Sequence, residues 1–415
     1  MKICIIGCGN QGGCLAALLA MEKEVTEVVL ADMDLAKANE LKELICGLGE
    51  KVEGKKVEVE SVNAMDAEDV ARVAKGAKLV FNGILPFCNI SVMKGALLAK
   101  ANYMDLYAMS ADIEGTPFEE TIDAQLELDE EFKKAGLVAL PSEGVAPGWV
   151  NLVTKTITDQ MDTIEDVAIR SITWLEGKKL IAMGPKELSV LMTLRLEPSS
   201  YYEDGKIVEL NELDAGEDYE FPAPANSKHI YMESVGCVEG MIKKYTGKPI
   251  GKIWHRGGIF GGTSDVKDLV FRAVREQVLK HPDTEEMNLV SVLADSLTSM
   301  ANADYKKALE TGELTDGADT AVVEVTGTKD GHKIVHKASF ISTVHEAVKH
   351  IPWVGSAAYG TVGSMPFVLA MMLLRGEIKE TGVIPPAMLS NPEKIFAEIE
   401  ARGHILAESI EKKAM

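Results

Sequence analysis

Residues 1–148 alternate short apolar runs with amphipathic segments that are long enough to form helices. This succession of strand and helix patterns predicts parallel strands joined by right-handed crossovers. We therefore expect an α/β fold that begins with a doubly wound parallel sheet. Its predicted strands are residues 3–6, 25–30, 57–62, 79–81, 103–106 and 137–140.

The pattern changes after residue 151. One long strand is predicted at 164–174, and two more at 321–326 and 333–342 flank Lys329-Asp330-Gly331, a sequence typical of a hairpin turn. A helical pattern of apolar residues is found between residues 265 and 310 and again near the C-terminus, at 364–374 and 392–413. We predict three parts: a doubly wound domain at 1–148, an α+β domain with an antiparallel sheet at 149–350 that carries a helical insertion at about 265–319, and C-terminal helices at 351–415 that pack back on the first domain.

A glycine-rich turn follows the first predicted strand directly and opens the first predicted helix. Gly7, Gly9 and Gly12 form a Gly-x-Gly-x-x-Gly pattern, with Asn10 and Gln11 between the last two. The first glycine allows the tight turn, the second lets the backbone approach a pyrophosphate, and the third lets helix and strand pack closely. The N-terminus of the helix then presents N–H groups to the phosphates. We therefore predict a dinucleotide-binding Rossmann domain.

The second predicted strand leads into Asp32, about 20 residues beyond Gly12, where an acidic side chain binds the adenosine ribose in such domains. A carboxylate at this point repels a 2′-phosphate, and no arginine follows it, so the sequence favours NAD over NADP. The alternative is that Asp32 caps the next helix, a role that we assign instead to Asp34.

Further cofactor contacts are expected where the next strands end, because ligands bind at the carboxyl ends of the strands in such sheets. Asn63 and Ala64 are predicted near the adenine. The ribose side of the dinucleotide is assigned to Asn82, Gly83 and Pro86.

Candidates for substrate chemistry follow the last two predicted strands. Tyr103 and Asp105 alternate onto one face of their strand, and Asp105 lies at the carboxyl end, as a substrate contact or as a structural aspartate. Glu143 is placed to act as a general acid or base or to bind an amine, the alternative being a solvated loop carboxylate. Gly148 breaks the chain before a helix predicted to begin at Trp149, whose N-terminus offers an anion site.

His255 and Arg256 lie in a segment that we predict to be a glycine-rich loop, Trp254-His255-Arg256-Gly257-Gly258. His255 is the histidine we select as a catalytic candidate, although a structural role is equally compatible with the sequence. Arg256 is suited to binding a substrate carboxylate through its planar guanidinium group.

Composition and charge narrow the choice of partner. The formal net charge is −21, which argues against nucleic acid and anionic membranes as partners. No uninterrupted apolar run of membrane length is apparent. The six cysteines show no metal-ligand spacing, so we expect no metal site and a reducing, cytoplasmic location.

The order of these motifs resembles the saccharopine dehydrogenase superfamily, which includes lysine ε-dehydrogenases. The resemblance implies an α+β domain for substrate binding and dimerisation, a homodimer, and nicotinamide-dependent amine/imine interconversion at the CH–NH carbon of an amino acid such as lysine or saccharopine. It also places Asp105 and the turn at 144–151, with Gly148 and Asn151, near the charged groups of the substrate. Tyr103, on the same face as Asp105, is a further predicted substrate contact. The segments that carry the resemblance are the glycine turn, Leu85-Pro86-Phe87, Tyr103-Met104-Asp105, Gly144-Val145-Ala146-Pro147-Gly148, Asp204-Gly205-Lys206, Phe221-Pro222-Ala223-Pro224, 325–331 and 374–386.

The hypothesis from sequence is an NAD-dependent amino-acid dehydrogenase. Asp105, Glu143 or His255 would transfer the substrate proton, and Arg256 would hold the substrate carboxylate. The residues at 254–258 and 265–319 depart from the family pattern and leave the substrate open. Two alternatives are a dehydrogenase acting on a hydroxyl or semialdehyde, for which Cys88 is the available thiol, and a non-catalytic NAD-sensing protein.

Overall fold

A computed structural model of the chain describes residues 1–108, 122–177, 199–210, 216–232, 236–261 and 304–412. Its contacts divide the chain into two compact units, which are described separately. The first unit comprises Met1–Gln160, Val235–Lys248 and Thr361–Arg402, and the second comprises Met161–Ser234, Pro249–Gly360 and Gly403–Met415. The helix that begins at Trp149 thus lies in the first unit, although the sequence placed the boundary just before it.

The first unit contains a parallel sheet whose strand order confirms the doubly wound prediction. Its order is β15-β6-β5-β4-β1-β2-β3, and each pair of neighbours is parallel. The direction of winding reverses between β1 and β4, and ligands bind at such a switch point in open α/β sheets. The strands are β1 Lys2–Ile6, β2 Glu27–Asp32, β3 Lys56–Ser61, β4 Leu79–Asn82, β5 Asn102–Asp105, β6 Val138–Leu140 and β15 Gly382–Val383.

The helices that cover this sheet begin where the sequence supplies caps. Asp34 accepts hydrogen bonds from the N–H groups of Ala36 and Lys37, and Asp66 caps the next helix in the same way. The helices in the described ranges are α1 Asn10–Ala20, α2 Leu35–Cys46, α3 Ala67–Val73, α4 Asn89–Ala99, α5 Asp123–Leu126, α6 Asp129–Ala135, α7 Trp149–Asp159, α8 Gly236–Thr246, α9 Tyr305–Glu310, α10 Val344–His350, α11 Ser356–Gly363, α12 Met365–Leu374 and α13 Pro392–Ala401, with 3₁₀ turns at Gly49–Val52, Pro86–Cys88 and Pro386–Met388.

The second unit contains a mixed sheet in the order β10-β11-β12-β7-β13-β14-β16, with β8 pairing to β12 and to β9. The α+β class is as predicted, but β7 and β12 pair in parallel, so the sheet is not wholly antiparallel. Its strands are β7 Thr163–Gly177, β8 Ser199–Glu203, β9 Lys206–Leu210, β10 Glu217–Glu220, β11 Ser227–Met232, β12 Ile250–Gly261, β13 Leu314–Lys329, β14 His332–Thr343 and β16 Ile405–Lys412.

The predicted hairpin is confirmed by β13 and β14, which pair from Ala318 with Thr343 to Lys329 with His332. Between them stand Asp330 and Gly331, both with positive φ, as a type I′ turn requires. Aspartate and glycine tolerate this region of backbone space, which is why two residues are enough to reverse the chain.

Two predictions near the C-terminal half need correction. Residues 405–412 form β16 rather than the end of a helix, because Gly403 has φ +87 and the preceding helix ends at Ala401. The predicted insertion at 265–319 falls largely outside the described residues, but its end is wrong, since β13 begins at Leu314.

Ser356–Leu374 is long and apolar enough to cross a membrane by length and composition, contrary to the expectation from sequence. However, 83% of this stretch is buried inside the protein, as in the core helices of folded domains. It is therefore weak support for a membrane span.

Candidate dinucleotide and substrate site

The glycine turn after β1 is packed so closely that no side chain fits at Gly7 or Gly12. Gly7 adopts φ +91, and its N–H donates a 2.8 Å hydrogen bond to the carbonyl of Ala31. A Cβ added at Gly12 would lie only 1.9 Å from the carbonyl oxygen of Gly7. Gly83, at the end of β4, packs against the same turn, where its added Cβ would lie 3.2 Å from the Cα of Gly12. The close packing of Gly83 on Gly12 places the end of β4 next to the turn.

Helix α1 starts immediately after the turn, with Gly9 as its N-cap. Because glycine has no side chain, no capping group stands between the first turn of the helix, Asn10 and Gln11, and a phosphate. The side-chain oxygen of Gln11 is buried and has no hydrogen-bond partner among the described residues. The uncapped N–H groups of this first turn suit the pyrophosphate of a dinucleotide, whereas the Gln11 oxygen is itself an acceptor.

Asp32 lies at the carboxyl end of β2, next to the turn. Its Oδ2 accepts a 2.7 Å hydrogen bond from the N–H of Cys8, and its Oδ1 accepts one of 2.9 Å from the N–H of Asp34. The carboxylate is therefore held in place, with its charge beside the predicted ribose site. Asp34 caps α2, as the sequence predicted.

The adenine-side candidates follow β3, which pairs with β2 up to Asp32 and Ser61. Asn63 is exposed, and its Oδ1 accepts a hydrogen bond from the N–H of Met65. The carbonyl of Ala64 accepts one from Ser91. Both residues thus lie at the edge of the sheet where the cofactor was expected.

The ribose-side candidates at the end of β4 divide into two kinds. Asn82 is buried and donates a 2.8 Å hydrogen bond to Oδ1 of Asn89, so its amide is part of the interior. Gly83 packs on the glycine turn. Pro86 is partly exposed and begins the 3₁₀ turn before α4. Backbone at Gly83 and the ring of Pro86 are therefore the groups most open to a ligand.

Asp105 is at the centre of a buried hydrogen-bond network. Its carboxylate accepts four hydrogen bonds: from the hydroxyl of Tyr103 (2.8 Å), the amide of Gln125 (2.6 Å), and the N–H groups of Ser142 (2.8 Å) and Tyr107 (3.1 Å). Burial raises the pKa of the Asp105 carboxyl to about 6, against the effect of these donors. With all its partners supplied by the protein, Asp105 has the contacts of a structural aspartate, the alternative that the sequence left open. The Tyr103 hydroxyl is committed to the same network.

Glu143 follows β6 and differs from Asp105 in having no such partners. It is fully buried, and neither carboxyl oxygen has a hydrogen-bond partner among the described residues. Burial, with a smaller contribution from the charge of Asp105, raises the pKa of the Glu143 carboxyl well above its usual range. It is therefore not the solvated loop carboxylate considered from sequence, and its burial favours the protonated form.

The turn after Glu143 is built around close backbone contacts. Gly148 has φ +127, and an added Cβ would lie 2.0 Å from the carbonyl oxygen of Gly144. Its N–H donates to Oδ1 of Asn151, whose amide donates to the carbonyl of Val238 in α8. Asn151 is thus buried, with both ends of its side chain engaged, and it joins α7 to α8.

His255 and Arg256 belong to the second unit, and the prediction that they lie in a glycine-rich loop is wrong. They occupy the middle of β12, where they pair with Ile169 and Arg170 of β7. The buried ring of His255 shares a 2.7 Å hydrogen bond between Nε2 and the hydroxyl of Ser171. The Arg256 guanidinium stacks 4.1 Å from the ring of Trp254. The two glycines that follow are part of the strand rather than a break in it.

Sequence reasoning missed Asp319 in β13, because residues 265–319 were assigned to a helical insertion. Asp319 accepts a 2.9 Å hydrogen bond from the hydroxyl of Thr173. An aspartate between the small residues Ala318 and Thr320 at the start of an apolar run was the available signal. Within the described ranges, no group of three His, Cys, Asp or Glu residues could hold a metal ion.

Comparison with known families identifies the nucleotide-binding part of the chain. Residues 3–140 match a family model described as the saccharopine dehydrogenase NADP binding domain. This part of the chain is therefore similar to the NADP-binding domain of that family. The matched residues contain the glycine turn, Asp32 and Asp105, and end just before Glu143.

Similarity to saccharopine dehydrogenase extends over the whole chain in structure. The chain resembles the apo saccharopine dehydrogenase (L-Glu forming) of Saccharomyces cerevisiae with a TM-score of 0.66 and 16% identity, over 99% of each chain. At this identity the likeness shows the fold alone. It confirms the two-part α/β and α+β architecture.

Two proteins that are similar to this chain in sequence are named carboxynorspermidine synthase rather than saccharopine dehydrogenase. Carboxynorspermidine synthase of Vibrio cholerae serotype O1 is 31% identical over 201 residues, which is 46% of this chain and 48%, about half, of that protein. Carboxynorspermidine synthase of Vibrio alginolyticus is 24% identical over 402 residues, covering 92% of this chain and 91% of that protein.

Together these matches agree with the predicted resemblance to the saccharopine dehydrogenase superfamily and with a nucleotide-binding first part of the chain. The preference for NAD over NADP and the lysine-type substrate are finer predictions that they do not support.

Proposed function

We propose that this protein is an NAD(P)H-dependent oxidoreductase that joins an amino-acid-derived aldehyde to a primary amine and yields a carboxylated polyamine. The observation that carries the proposal is the buried carboxyl of Glu143, which has no hydrogen-bond partner among the described residues and follows β6 of the sheet that also holds the glycine turn. The names of the two sequence relatives support this substrate class over lysine or saccharopine.

The proposed reaction is a condensation followed by a reduction. The amine nitrogen attacks the aldehyde carbon, and loss of water gives a carbon–nitrogen double bond. Addition of a hydride to that carbon and of a proton to nitrogen then gives the secondary amine. The nicotinamide cofactor supplies the hydride when it is bound. Every other requirement is for proton transfer and positioning, which the residues of the chain must provide.

The residues at the glycine turn fit a dinucleotide. The turn has no room for side chains at Gly7 or Gly12, and α1 begins without a capping side chain. The backbone at Gly9, Asn10 and Gln11 would hold the pyrophosphate, and Asp32 the adenosine ribose.

Glu143 is the proton-transfer group in this proposal. Because burial keeps its pKa high, it holds a proton on a carboxyl oxygen at neutral pH and can donate that proton to the oxygen that leaves as water. In the reverse direction the same carboxylate would take a proton from attacking water. Asp105 acts differently, since its carboxylate is already saturated with donors, and it positions the chain that leads to Glu143 through the hydrogen bond from the Glu143 N–H to its carbonyl.

The cofactor proposed is NAD(H). The charged oxygens of Asp32 are held by the N–H groups of Cys8 and Asp34 beside the ribose site, where a 2′-phosphate would bring a second negative charge. The exposed Lys37, on the first turn of α2, is the cation nearest in sequence after Asp32. A cytoplasmic homodimer stays a prediction from the sequence.

The test is a matrix of substrates assayed by loss of NADH or NADPH. Amino-acid semialdehydes are combined with 1,3-diaminopropane, with longer diamines and with a monoamine, and lysine and saccharopine are assayed in the oxidative direction. We expect reduction only when aldehyde and amine are both present, with a product mass equal to their sum less water plus two hydrogens. Turnover of a hydroxy acid or of the semialdehyde alone, or cofactor binding without any turnover, would contradict the proposal.

A further inference from the structure

One face of the second unit's sheet carries a row of polar side chains in an otherwise apolar setting. Ser171 and Thr173 are two residues apart on β7, so their side chains point to the same face. The Ser171 hydroxyl lies 2.7 Å from Nε2 of His255, and the Thr173 hydroxyl donates a 2.9 Å hydrogen bond to Oδ1 of Asp319. The row therefore spans β12, β7 and β13.

Strand register extends this row by one more residue. Asp319 lies directly opposite Thr173 on one side and Ser342 of β14 on the other. Residues in register on adjacent strands share a face. The Ser342 side chain is fully buried, and its hydroxyl has no hydrogen-bond partner among the described residues.

Asp319 differs from the two carboxylates that contact Arg170. On the opposite face, Glu217 and Glu324 are both paired with the guanidinium of Arg170, at 2.6 and 3.0 Å. Among the described residues, no lysine, arginine or histidine lies within ion-pair distance of Asp319. Burial raises the pKa of the Asp319 carboxyl to about 7. A carboxylate removed from water without a cation is costly, and a bound cation would offset that cost.

Gly360 packs closely against the carboxylate of Asp319. A Cβ added at Gly360 would lie 2.5 Å from Oδ2 of Asp319, so any side chain there would cover the second carboxylate oxygen. Oδ1 accepts the hydrogen bond from Thr173, and Oδ2 accepts none from the described residues.

We propose that Thr173, Asp319 and Ser342 form a subsite for a primary alkylammonium group of the substrate. An ammonium group carries three N–H donors, and the carboxylate of Asp319 and the hydroxyl oxygens of Ser342 and Thr173 supply three acceptors on one face. His255 orients the neighbouring hydroxyl of Ser171 at the end of this row. The amine class rests on the proposed function, since either the diamine or the amino group of the aldehyde partner presents such an ammonium group.

The two sources are separated by calorimetric titration of the full chain without cofactor. One arm uses 1,3-diaminopropane, and the other uses L-homoserine, an amino acid in which a hydroxyl replaces the aldehyde oxygen. We expect Asp319→Asn to weaken the binding of one of these by about tenfold or more, because a hydrogen-bonded charge pair is lost, and Ser342→Ala to weaken the same one by a smaller factor. The probe whose affinity falls in these variants identifies which of the two substrates supplies the ammonium group.

Asp166→Asn is the matched control. Asp166 lies on the opposite face of β7 and accepts a 2.8 Å hydrogen bond from the indole of Trp254, so its replacement should leave both affinities unchanged. Thermal unfolding of each variant verifies folding, and Ser342→Ala serves as the test if Asp319→Asn does not fold. Wild-type affinities in Asp319→Asn, or no binding of either probe to the wild type, would overturn the subsite. Asp319-dependent binding without turnover would refute the proposed function alone.

Discussion

The backbone N–H of Cys8 donates a 2.7 Å hydrogen bond to Oδ2 of Asp32, which ties the carboxylate at the end of β2 to the glycine turn at the end of β1. A second hydrogen bond, from the N–H of Asp34 to Oδ1, fixes the other oxygen. The charge that we propose to favour NAD over NADP is therefore held in place by backbone hydrogen bonds.

Replacing this charge should change cofactor preference. Asp32→Asn keeps an oxygen that can accept from Cys8 but removes the negative charge, so we expect the ratio of NADPH to NADH affinity to rise by about tenfold or more. Titration of the fluorescence of each reduced cofactor measures the ratio. Asp34→Ser is the control, since serine also caps helices and residue 34 is not the ribose ligand. An unchanged ratio in Asp32→Asn would remove Asp32 from the ribose site.

The third glycine of the turn should tolerate no side chain. The Cβ of Gly12→Ala would lie 1.9 Å from the Gly7 carbonyl oxygen, a backbone atom that cannot move without opening the turn. We expect a loss of about 1–3 kcal/mol or more in unfolding free energy and weaker cofactor binding. In the adjacent Gly13→Ala the new Cβ would meet a flexible end of Leu41 at 3.0 Å. Denaturant unfolding of both variants makes the comparison, and equal stability would show that the turn adapts.

The first unit could be predicted from sequence because its signals are local. The alternation of apolar runs with helical patterns predicted six of the strands. Strand β15 was missed because Gly382–Val383 is too short to show a pattern. The glycine turn was recognisable from the spacing of its glycines, and Gly12 is required by a contact with Gly7, only five residues away. Boundaries drawn from such patterns need no knowledge of distant contacts.

The substrate side was harder because its contacts are distant in sequence. Tyr103 and Asp105 were placed on one face correctly, but the amide of Gln125 and the N–H of Ser142, which complete the network, come from elements 20 and 37 residues away. The glycines after Arg256 suggested a loop, yet parallel pairing with β7 keeps that segment in a strand. A glycine in a strand is indistinguishable from a loop glycine until its neighbours are known.

The Asp105 network gives a prediction about stability. In Asp105→Asn only one oxygen remains, so donors among Tyr103, Gln125 and the two backbone N–H groups lose their acceptor inside the protein. We expect a loss of about 2 kcal/mol or more in unfolding free energy, whereas Tyr103→Phe removes one donor and should cost about 1 kcal/mol. Denaturant unfolding followed by fluorescence measures both. A smaller loss in Asp105→Asn than in Tyr103→Phe would contradict the network.

The same carboxyl predicts a dependence of stability on pH. Because the pKa of Asp105 is raised in the folded state, to about 6, the folded protein binds this proton more tightly than the unfolded chain does. Its contribution to stability is therefore largest at low pH and falls as pH rises from about 4 to about 6. The difference in unfolding free energy between wild type and Asp105→Asn should accordingly become smaller across this window. A difference that grows with pH would mean that the carboxyl is ionised throughout.

Glu143 gives the prediction closest to the chemistry. Glu143→Gln replaces a protonated carboxyl by a neutral group of the same shape, so folding and cofactor affinity should change little, while turnover should fall by about a hundredfold or more because no proton can be transferred. In the wild type, condensation should decline as pH rises through the raised pKa of Glu143, since the acid form is lost, and this limb should be absent from the residual activity of the variant. Steady-state rates of amine–aldehyde reduction across pH provide the measurement. Glu131→Gln, an exposed carboxylate on α6, is the control and should keep both the rate and its pH profile. Full turnover in Glu143→Gln with an unchanged profile would show that another group moves the proton.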